Sequence, residues 1–195
     1  MTDKEKRDLG QIYNPNYDRE LGLEIVACKQ RCFEYNQLGP VHMDERAAMI
    51  REILGRTKEN VTVLSPFWCD YGYNIEVGEN FFANHNLVIL DGAKVTFGDN
   101  VFIAPDCGFY TAGHPVNIND RNAGLEYAKP ITVGDNVWIG GGVRVLPGVT
   151  IGSNVIIGAG SVVTHDIPDG VIAFGNPCRV HREVSDEELF GLKQQ

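Results

Sequence analysis

The stretch of sequence that decides the fold covers residues 131–164, ITVGDNVWIGGGVRVLPGVTIGSNVIIGAGSVVT. An aliphatic residue recurs there at every sixth position, and four of these residues are followed directly by glycine. The recurring residues are Val133, Ile139, Val145, Ile151, Ile157 and Val163. An α-helix repeats every ~3.6 residues, so it cannot produce this period.

A six-residue period with one fixed aliphatic position predicts a parallel β-helix. Each hexad forms one short flat face, three faces close a triangular coil, and the aliphatic side chains stack inside. Glycine after the inward residue suits the corner, because it leaves no Cβ to crowd the next coil. Ordinary strands separated by glycine turns are the alternative, but they give no reason for aliphatic residues in strict register. We therefore predict a mainly β fold of stacked coils.

The same period continues toward the N-terminus with one change of phase. One series with the six-residue spacing consists of Tyr71, Val77, Ala83 and Ile89. The next series lies two residues out of phase and consists of Phe97, Ile103 and Phe109. The slip falls at residues 91–94, DGAK, and predicts a small bulge or loop on one coil.

Three segments are predicted along the chain. Residues 1–58 carry helical apolar patterns and a break at Gly39-Pro40, which indicates a helical segment packed on the coil. Residues 59–180 form the β-helix, and residues 181–195 form a C-terminal tail. Within the β-helix, residues 111–130 are polar, contain two prolines and lack inward aliphatic residues. We expect them to leave the coil as a long loop, a common location for functional residues.

Composition limits the possible partners. The chain has 195 residues, a formal net charge of −9 and a pI near 5.0, which argues against nucleic acid or an anionic membrane. No apolar run approaches the length of a signal sequence or a membrane span, so we expect a cytoplasmic protein. The five cysteines do not resemble a disulfide framework or a paired-cysteine zinc site. Cys28 and Cys32, four residues apart on a predicted helix, are interpreted as small buried apolar residues.

One of the five histidines stands out by position. His114 lies in the predicted loop between Gly113 and Pro115, where the backbone is constrained on both sides. An imidazole with a pKa near its usual value of about 6.5 can act as a general base at neutral pH.

Several segments resemble one known family in their order and spacing. They are CDYGYNIEVGENFFANHN (69–86), TAGHP (111–115), RNAGLEYAKPITVGDNVWIGG (121–141), LPGVTIG (146–152), GAGSVVTHDIP (158–168) and GNPCRV (175–180). Together they are similar to the maltose and galactoside O-acetyltransferase branch of the hexapeptide-repeat acyltransferases. The resemblance covers nearly the whole chain, including the helical start.

The resemblance implies a left-handed parallel β-helix and a homotrimer with active sites between neighbouring subunits. It implies acetyl-CoA as co-substrate and a sugar hydroxyl, maltose-, glucoside- or galactoside-like, or a related small molecule as acceptor. His114 matches the family's catalytic base, which removes the hydroxyl proton as the oxygen attacks the thioester. This scheme requires neither a covalent acyl-enzyme nor a metal.

The resemblance also implies roles for other residues. Asn84 matches a polar residue at the reaction centre and in the acceptor site, Asp70 an acceptor contact, and Asp18 a weaker acceptor-side candidate. Residues that match the CoA groove are Trp138, Gly141, Ala159, Thr164, His165, Arg179 and Arg182. His165 stands where the family usually has lysine. Structural alternatives remain open, since Asp70 could cap a turn and Trp138 could pack between subunits.

Three other functions compete with this prediction. A non-catalytic trimeric scaffold or binding protein would use the coil only for assembly. An acetyltransferase could instead modify a non-sugar hydroxylated xenobiotic, because residues 91–92 differ from the galactoside type while Asp70 agrees with the maltose type. A zinc carbonic anhydrase on a similar coil needs three histidine ligands. Only His85, His114 and His165 lie in or near the coils, and their sequence contexts do not match that family.

Overall fold

The structure is a computed structural model that describes residues 1–191. The helices are α1 (Asp3–Asp8), α2 (Arg19–Gln37), α3 (Met43–Ile53), α4 (Ile118–Asn122) and α5 (Asp186–Phe190). The first strands are β1 (Val61–Val63), β2 (Phe67–Cys69), β3 (Ile75–Val77), β4 (Phe81–Ala83), β5 (Leu87–Leu90), β6 (Val95–Phe97), β7 (Val101–Ile103), β8 (Gly108–Tyr110) and β9 (Ala112–Gly113). The remaining strands are β10 (Tyr127–Ala128), β11 (Ile131–Val133), β12 (Val137–Ile139), β13 (Arg144–Val145), β14 (Thr150–Ile151), β15 (Ile156–Ile157), β16 (Val162–Val163), β17 (Val171–Phe174) and β18 (Arg179–Glu183).

The strands of the coil form three parallel sheets, one for each face. The first face has the order β1-β4-β7-β12-β15-β17, with β18 added antiparallel at its end. The second face has the order β2-β5-β8-β13-β16, and the third β3-β6-β11-β14. The chain therefore visits the first, second and third faces in turn, and each coil stacks on the coil before it.

The repeated aliphatic residues point inward, as the six-residue period predicts. All six from Val133 to Val163 are at most 1% exposed. They belong to one continuous core with the inward residues of the earlier coils. The predicted fold of stacked parallel β-coils is confirmed.

The first coil differs from the sequence prediction at one residue. Cys69, not Tyr71, takes the inward position, because Cys69 pairs in register with Ile89 and Ile89 with Phe109. Tyr71 lies in the corner beyond β2 and packs in a separate buried cluster with Tyr13 and Leu21. The error arose because Tyr71 precedes Val77 by six residues and imitates the repeat.

The corner between the second and third faces contains all the extra residues of the coil. Eight residues rather than six separate Cys69 from Val77, and the same holds for Ile89 and Phe97. In the third coil the chain leaves between β8 and β11, forms α4 and the small antiparallel pair β9–β10, and returns. The predicted slip at residues 91–94 is thus one of two such insertions, and it is stacked directly on the other.

The corner between the third and first faces is held by a ladder of asparagines. Asn80, Asn100, Asn136 and Asn154 all have positive φ, between 54° and 59°. Each of the first three donates its side-chain N–H to the Oδ1 of the next, at 2.9, 3.0 and 3.0 Å. Asparagine is among the few residues with a side chain that tolerate this backbone conformation. The ladder therefore fixes both the turn and the register of successive coils.

The N-terminal helices cover the open end of the coil. Asn36 of α2 donates to the carbonyl of Phe67 and accepts from its N–H, at 3.0 and 2.9 Å. One side chain thus satisfies both backbone groups on the free edge of β2, which would otherwise be open to pairing with another strand. Within residues 1–191, no helix has the combination of length and apolar character that crossing a membrane requires.

The asparagine ladder gives a test of coil stability. We expect Asn136→Ala to lower the free energy of unfolding by about 2 kcal/mol, because alanine is strained at φ 56° and loses two ladder hydrogen bonds. Asn136→Gly should cost only about 1 kcal/mol, since glycine takes this φ freely. Urea unfolding at one fixed protein concentration measures both. Equal losses in the two variants would show that backbone strain does not contribute.

Candidate active site at two corners of the coil

Three polar residues from consecutive coils lie one above another at the corner between the second and third faces. Asp70 lies in the first coil, Asp91 in the second and His114 in the loop that leaves the third. Asp91 Oδ1 accepts the backbone N–H groups of Asp70 and Tyr71, both at 2.9 Å. Asp91 thereby positions the backbone that carries Asp70. The extra residues of this corner form a structured surface rather than a loose loop.

His114 is exposed, and its ring is oriented by one hydrogen bond. Nδ1 lies 2.9 Å from the backbone carbonyl oxygen of Leu125. A carbonyl only accepts, so Nδ1 carries the proton of the neutral ring and Nε2 keeps its lone pair. This tautomer is the one that can take a proton from a bound hydroxyl at Nε2.

The loop around His114 is pinned to the N-terminal segment. Strands β9 and β10 pair Ala112 with Ala128, so the two ends of the loop close beside the coil. Tyr13 and Glu126 exchange backbone hydrogen bonds at 3.0 and 2.8 Å, and the Tyr13 hydroxyl donates to Glu126 Oε2 at 3.0 Å. The position of His114 thus depends on a residue about a hundred positions earlier in the chain.

Three carboxyl groups near this corner have raised pKa values, and burial is the largest cause for each. Burial raises the pKa of Asp91 to about 6, against the two N–H groups that lower it. The pKa of Asp70 is raised despite the charge of Lys29, whose Nζ lies 3.5 Å from Oδ1. The pKa of Glu126 is raised although the Tyr13 hydroxyl opposes the shift. A cluster of perturbed acids beside a cavity is typical of a functional site.

A cavity of about 400 Å³ opens at this corner. Its walls are formed by Tyr13, Pro15, Asn16, Gly22, Ile25, Lys29, Asp70, Tyr71, Gly92, Ala112 and Glu126. Asp18 is not among these residues. Its carboxylate caps α2 by accepting the N–H groups of Glu20 and Leu21, at 2.9 and 3.2 Å. The acceptor contact suggested for Asp18 stays a prediction.

A second group of the predicted residues lies at the corner between the first and second faces. Asn84 follows β4, and its Oδ1 accepts the N–H of His85 at 2.8 Å. Gly141 and Ala159 occupy the same corner in later coils. Among residues 1–191, the structure shows no hydrogen-bond acceptor for the backbone N–H of either residue. Two free N–H groups one coil apart can donate to a ligand.

The remaining predicted residues lie toward the C-terminal end. Trp138 points outward on the first face and is 55% exposed. Thr164 and His165 are joined at the second–third corner by a bond of 2.8 Å between Oγ1 and Nδ1. Arg179 is exposed on β18, whereas Arg182 forms a bidentate pair with Glu188 at 2.8 and 2.7 Å. This pair holds the pKa of Glu188 at about 2, so Arg182 is already partnered.

The predicted residues do not form one site within a single chain. Asn84 lies just before β5, whereas Asp91 lies just after it, so the two groups occupy opposite edges of the second face. Of the residues that line the cavity, sequence reasoning predicted only Asp70 as a site residue; the missed residues include Tyr13, Lys29 and Glu126. Glu126 could have been noticed, because it is an acidic residue in the same loop as His114. Nothing in the local sequence marks Tyr13 or Lys29.

A stack of hexapeptide coils with a histidine-bearing loop at one corner defines a hexapeptide-repeat transferase. Family models agree with this class. Residues 130–165 match the bacterial transferase hexapeptide (six repeats), and residues 8–58 match the maltose acetyltransferase hexapeptide capping motif. The capping match covers the segment whose helices close the open end of the coil.

Individual proteins resemble the chain over nearly its whole length. A Saccharomyces cerevisiae protein named as an acetyltransferase is 55% identical over 179 residues, 92% of this chain and 91% of the relative. A galactoside acetyltransferase solved with coenzyme A has a TM-score of 0.93 at 43% identity, covering 97% of this chain and 94% of the other. A maltose O-acetyltransferase from Clostridium difficile has a TM-score of 0.92 at 48% identity, covering 95% and 99%. The chain belongs to the hexapeptide-repeat acetyltransferases of the maltose and galactoside O-acetyltransferase branch.

The buried Asp91 carboxyl predicts a pH effect on stability. Its pKa is raised to about 6 by folding, so its stabilising contribution is complete below the unfolded value of 3.8 and is lost as the pH rises through 6. We expect Asp91→Asn to remove about 2–3 kcal/mol of this pH dependence between about pH 4 and 7. Urea unfolding across this range, compared with the wild type, measures the difference. Parallel stability profiles for the two proteins would contradict the raised pKa.

Proposed function

We propose that the protein transfers an acetyl group from acetyl-CoA to a hydroxyl of a sugar or another small hydroxyl compound, with His114 as the general base. The hydrogen bond from His114 Nδ1 to the Leu125 carbonyl carries this proposal. It sets the ring so that Nε2, the atom that must accept the proton, is free.

The proposed reaction is a direct transfer. His114 Nε2 takes the proton of the acceptor hydroxyl while its oxygen attacks the thioester carbonyl. The resulting tetrahedral oxyanion is stabilised by a backbone N–H, for which the unpaired N–H of Gly141 is the candidate. The C–S bond then breaks, the acetyl ester forms, and the CoA thiolate leaves and takes up a proton. All steps use groups of the protein and its two substrates.

The residues near the first face are the candidates for holding acetyl-CoA. Ala159 leaves an open corner with a free N–H, and Trp138, which the trimer proposed below would place at the boundary between subunits, offers its ring near that corner. The anionic end of the cofactor requires cations on this acidic protein, and Arg179 is exposed nearby on β18. Arg182 would have to exchange Glu188 for a phosphate. The galactoside acetyltransferase with coenzyme A supports this choice of co-substrate.

The cavity lined in part by Ala112 and Glu126, from the loop that carries His114, is the candidate acceptor site. Asp70 and Glu126 offer carboxylate oxygens that accept from hydroxyl groups, and Lys29 offers a donor. Hydrogen-bond acceptors and donors together around about 400 Å³ suit a polyhydroxyl molecule better than an apolar one. This chemistry favours a sugar over an apolar hydroxylated xenobiotic.

A homotrimer would explain why the candidate residues lie on two edges. From β4 to β17 the outward residues of the first face are apolar and in register, namely Phe82, Phe102, Trp138, Ile156 and Ile172, whereas Thr62 on β1 is polar. On the third face the outward residues are polar, namely Glu76, Thr96, Thr132 and Thr150. A contiguous exposed apolar column indicates a protein contact. Packing of this face against a neighbouring subunit could bring the Asn84 edge of one chain to the His114 edge of another.

The proposed base is tested by a thiol-release assay with acetyl-CoA and a panel of glucosides, galactosides, maltose and non-sugar alcohols. We expect His114→Ala to reduce turnover at least about a hundredfold, the usual scale for loss of a general base. His42→Ala is the matched control, because the His42 side chain is exposed on the N-terminal segment and its Nδ1 contacts the Glu45 carboxylate at 2.9 Å. Unchanged turnover in His114→Ala would refute the assigned mechanism, and absence of turnover with every acceptor would refute the acceptor class.

The proposed trimer is tested by a charge placed in the apolar column. We expect Phe102→Glu to yield monomers and to lose at least about a hundredfold in turnover, because a buried unpaired charge is strongly unfavourable at an interface. Thr132→Glu, on the polar third face, should leave both properties unchanged. Light scattering after gel filtration gives the mass. A monomeric Phe102→Glu variant with full activity would exclude a site shared between subunits.

A further inference from the structure

Three buried thiols from two separate elements meet beneath the acceptor cavity. Cys28 and Cys32 lie one turn apart on α2, and Cys69 is the inward residue that ends β2. Cys69 Sγ is 3.5 Å from Cys28 Sγ and 3.7 Å from Cys32 Sγ. All three side chains are at most 5% exposed. The acetyl-transfer mechanism uses none of them, and packing alone does not require three sulfurs at one point.

We propose that Cys28, Cys32 and Cys69 form a binding site for a single Cu(I) ion. The three Sγ atoms all lie within 4.8 Å of one another. An ion bound at about 2.3 Å to three sulfurs in a plane sets those sulfurs about 4 Å apart. The site therefore needs only small side-chain adjustments to reach trigonal geometry.

The donor set favours Cu(I) over zinc. Structural zinc takes four ligands in a tetrahedron. In the described part of the chain, no histidine, aspartate or glutamate joins the three cysteines within the same distance of one another. Thiolates are soft ligands, and they select Cu(I) among the ions that accept three.

Copper binding to these thiols is balanced by the release of protons. Cys69 Sγ lies within hydrogen-bond distance of the Sγ atoms of both Cys28 and Cys32, and either sulfur of each pair can be the donor. Each Cu–S bond that forms from a thiol releases one proton to solvent, and copper remains Cu(I) throughout.

A path from solvent reaches the cluster. Cys28 forms part of the wall of a cavity of about 210 Å³, together with Glu24, Ala27, Arg31, Ile53, Tyr71 and Tyr73. A bound ion would join α2 to the first coil, directly behind Asp70, and would therefore stabilise the folded state.

The test is an anaerobic titration of the reduced full-length protein with Cu(I) against a competing Cu(I) chelator, followed by near-ultraviolet thiolate-to-copper absorption. We expect one Cu(I) per chain in the wild type. Cys69→Ser and Cys28→Ser should bind at least about a hundredfold more weakly, because each removes one of three ligands. Cys107→Ser is the matched control, since Cys107 is equally buried but lies outside the cluster. Equal binding by Cys69→Ser and Cys107→Ser, or complete loss of copper to the chelator, would overturn the proposal.

Thermal unfolding gives a second test of copper binding that does not depend on the absorption band. At free Cu(I) of about 100 times Kd, the unfolding midpoint of the wild type should rise by about 5 °C or more, while that of Cys69→Ser should not move. The circular dichroism spectrum without copper shows whether each variant is folded. Zinc serves as the comparison ion. A larger midpoint shift with zinc than with Cu(I) would contradict the three-coordinate assignment.

Discussion

The structure depends on the stacking of inward side chains at the same register in every coil. Val133 lies against Phe97 in the coil before it and Ile151 in the coil after it. None of the three can move without opening the core. Because this column forms only where each face places its inward residue in register, the faces keep one length, and the number of residues in a coil changes only at the corners. Insertions and changes of length are therefore confined to the corners and the ends of the coil.

The candidate functional residues Asp70 and His114 lie at the corner where the number of residues is free to change. The second–third corner accepts two extra residues in the first and second coils and a long loop in the third, while the inward columns continue undisturbed. Stacked insertions bring Asp70, Asp91 and the His114 loop together. They also bury Asp91 without any partner for Oδ2 within the described residues, which raises its pKa. The rigid coil thus keeps the Asp91 carboxyl buried, whereas a mobile loop would let water reach it and return its pKa toward the usual value.

The N-terminal helices serve both the fold and the candidate site. Asn36 of α2 closes the free edge of the first coil, while Lys29 and Cys28 of the same helix reach the acceptor cavity and the thiol cluster. Tyr13 reaches further, to the loop of His114. The segment that caps the coil therefore also positions groups on which the proposed chemistry depends. Its removal would expose the core and disturb the cavity together.

Local patterns were enough to predict the coil, the inward residues from Val77 to Val163, the loop at 111–130 and His114 as a candidate, because a six-residue period and its interruption are visible within a short window. They were not enough to place Cys69 inside and Tyr71 in the corner, since both fit a plausible spacing. The Tyr13–Glu126 pair, the Asp70–Lys29 pair and the meeting of Cys28, Cys32 and Cys69 could not be read from any window, because their members are distant in the sequence. Those contacts exist only once the helices pack on the coil, where burial and long-range pairing, rather than periodicity, decide which side chains meet.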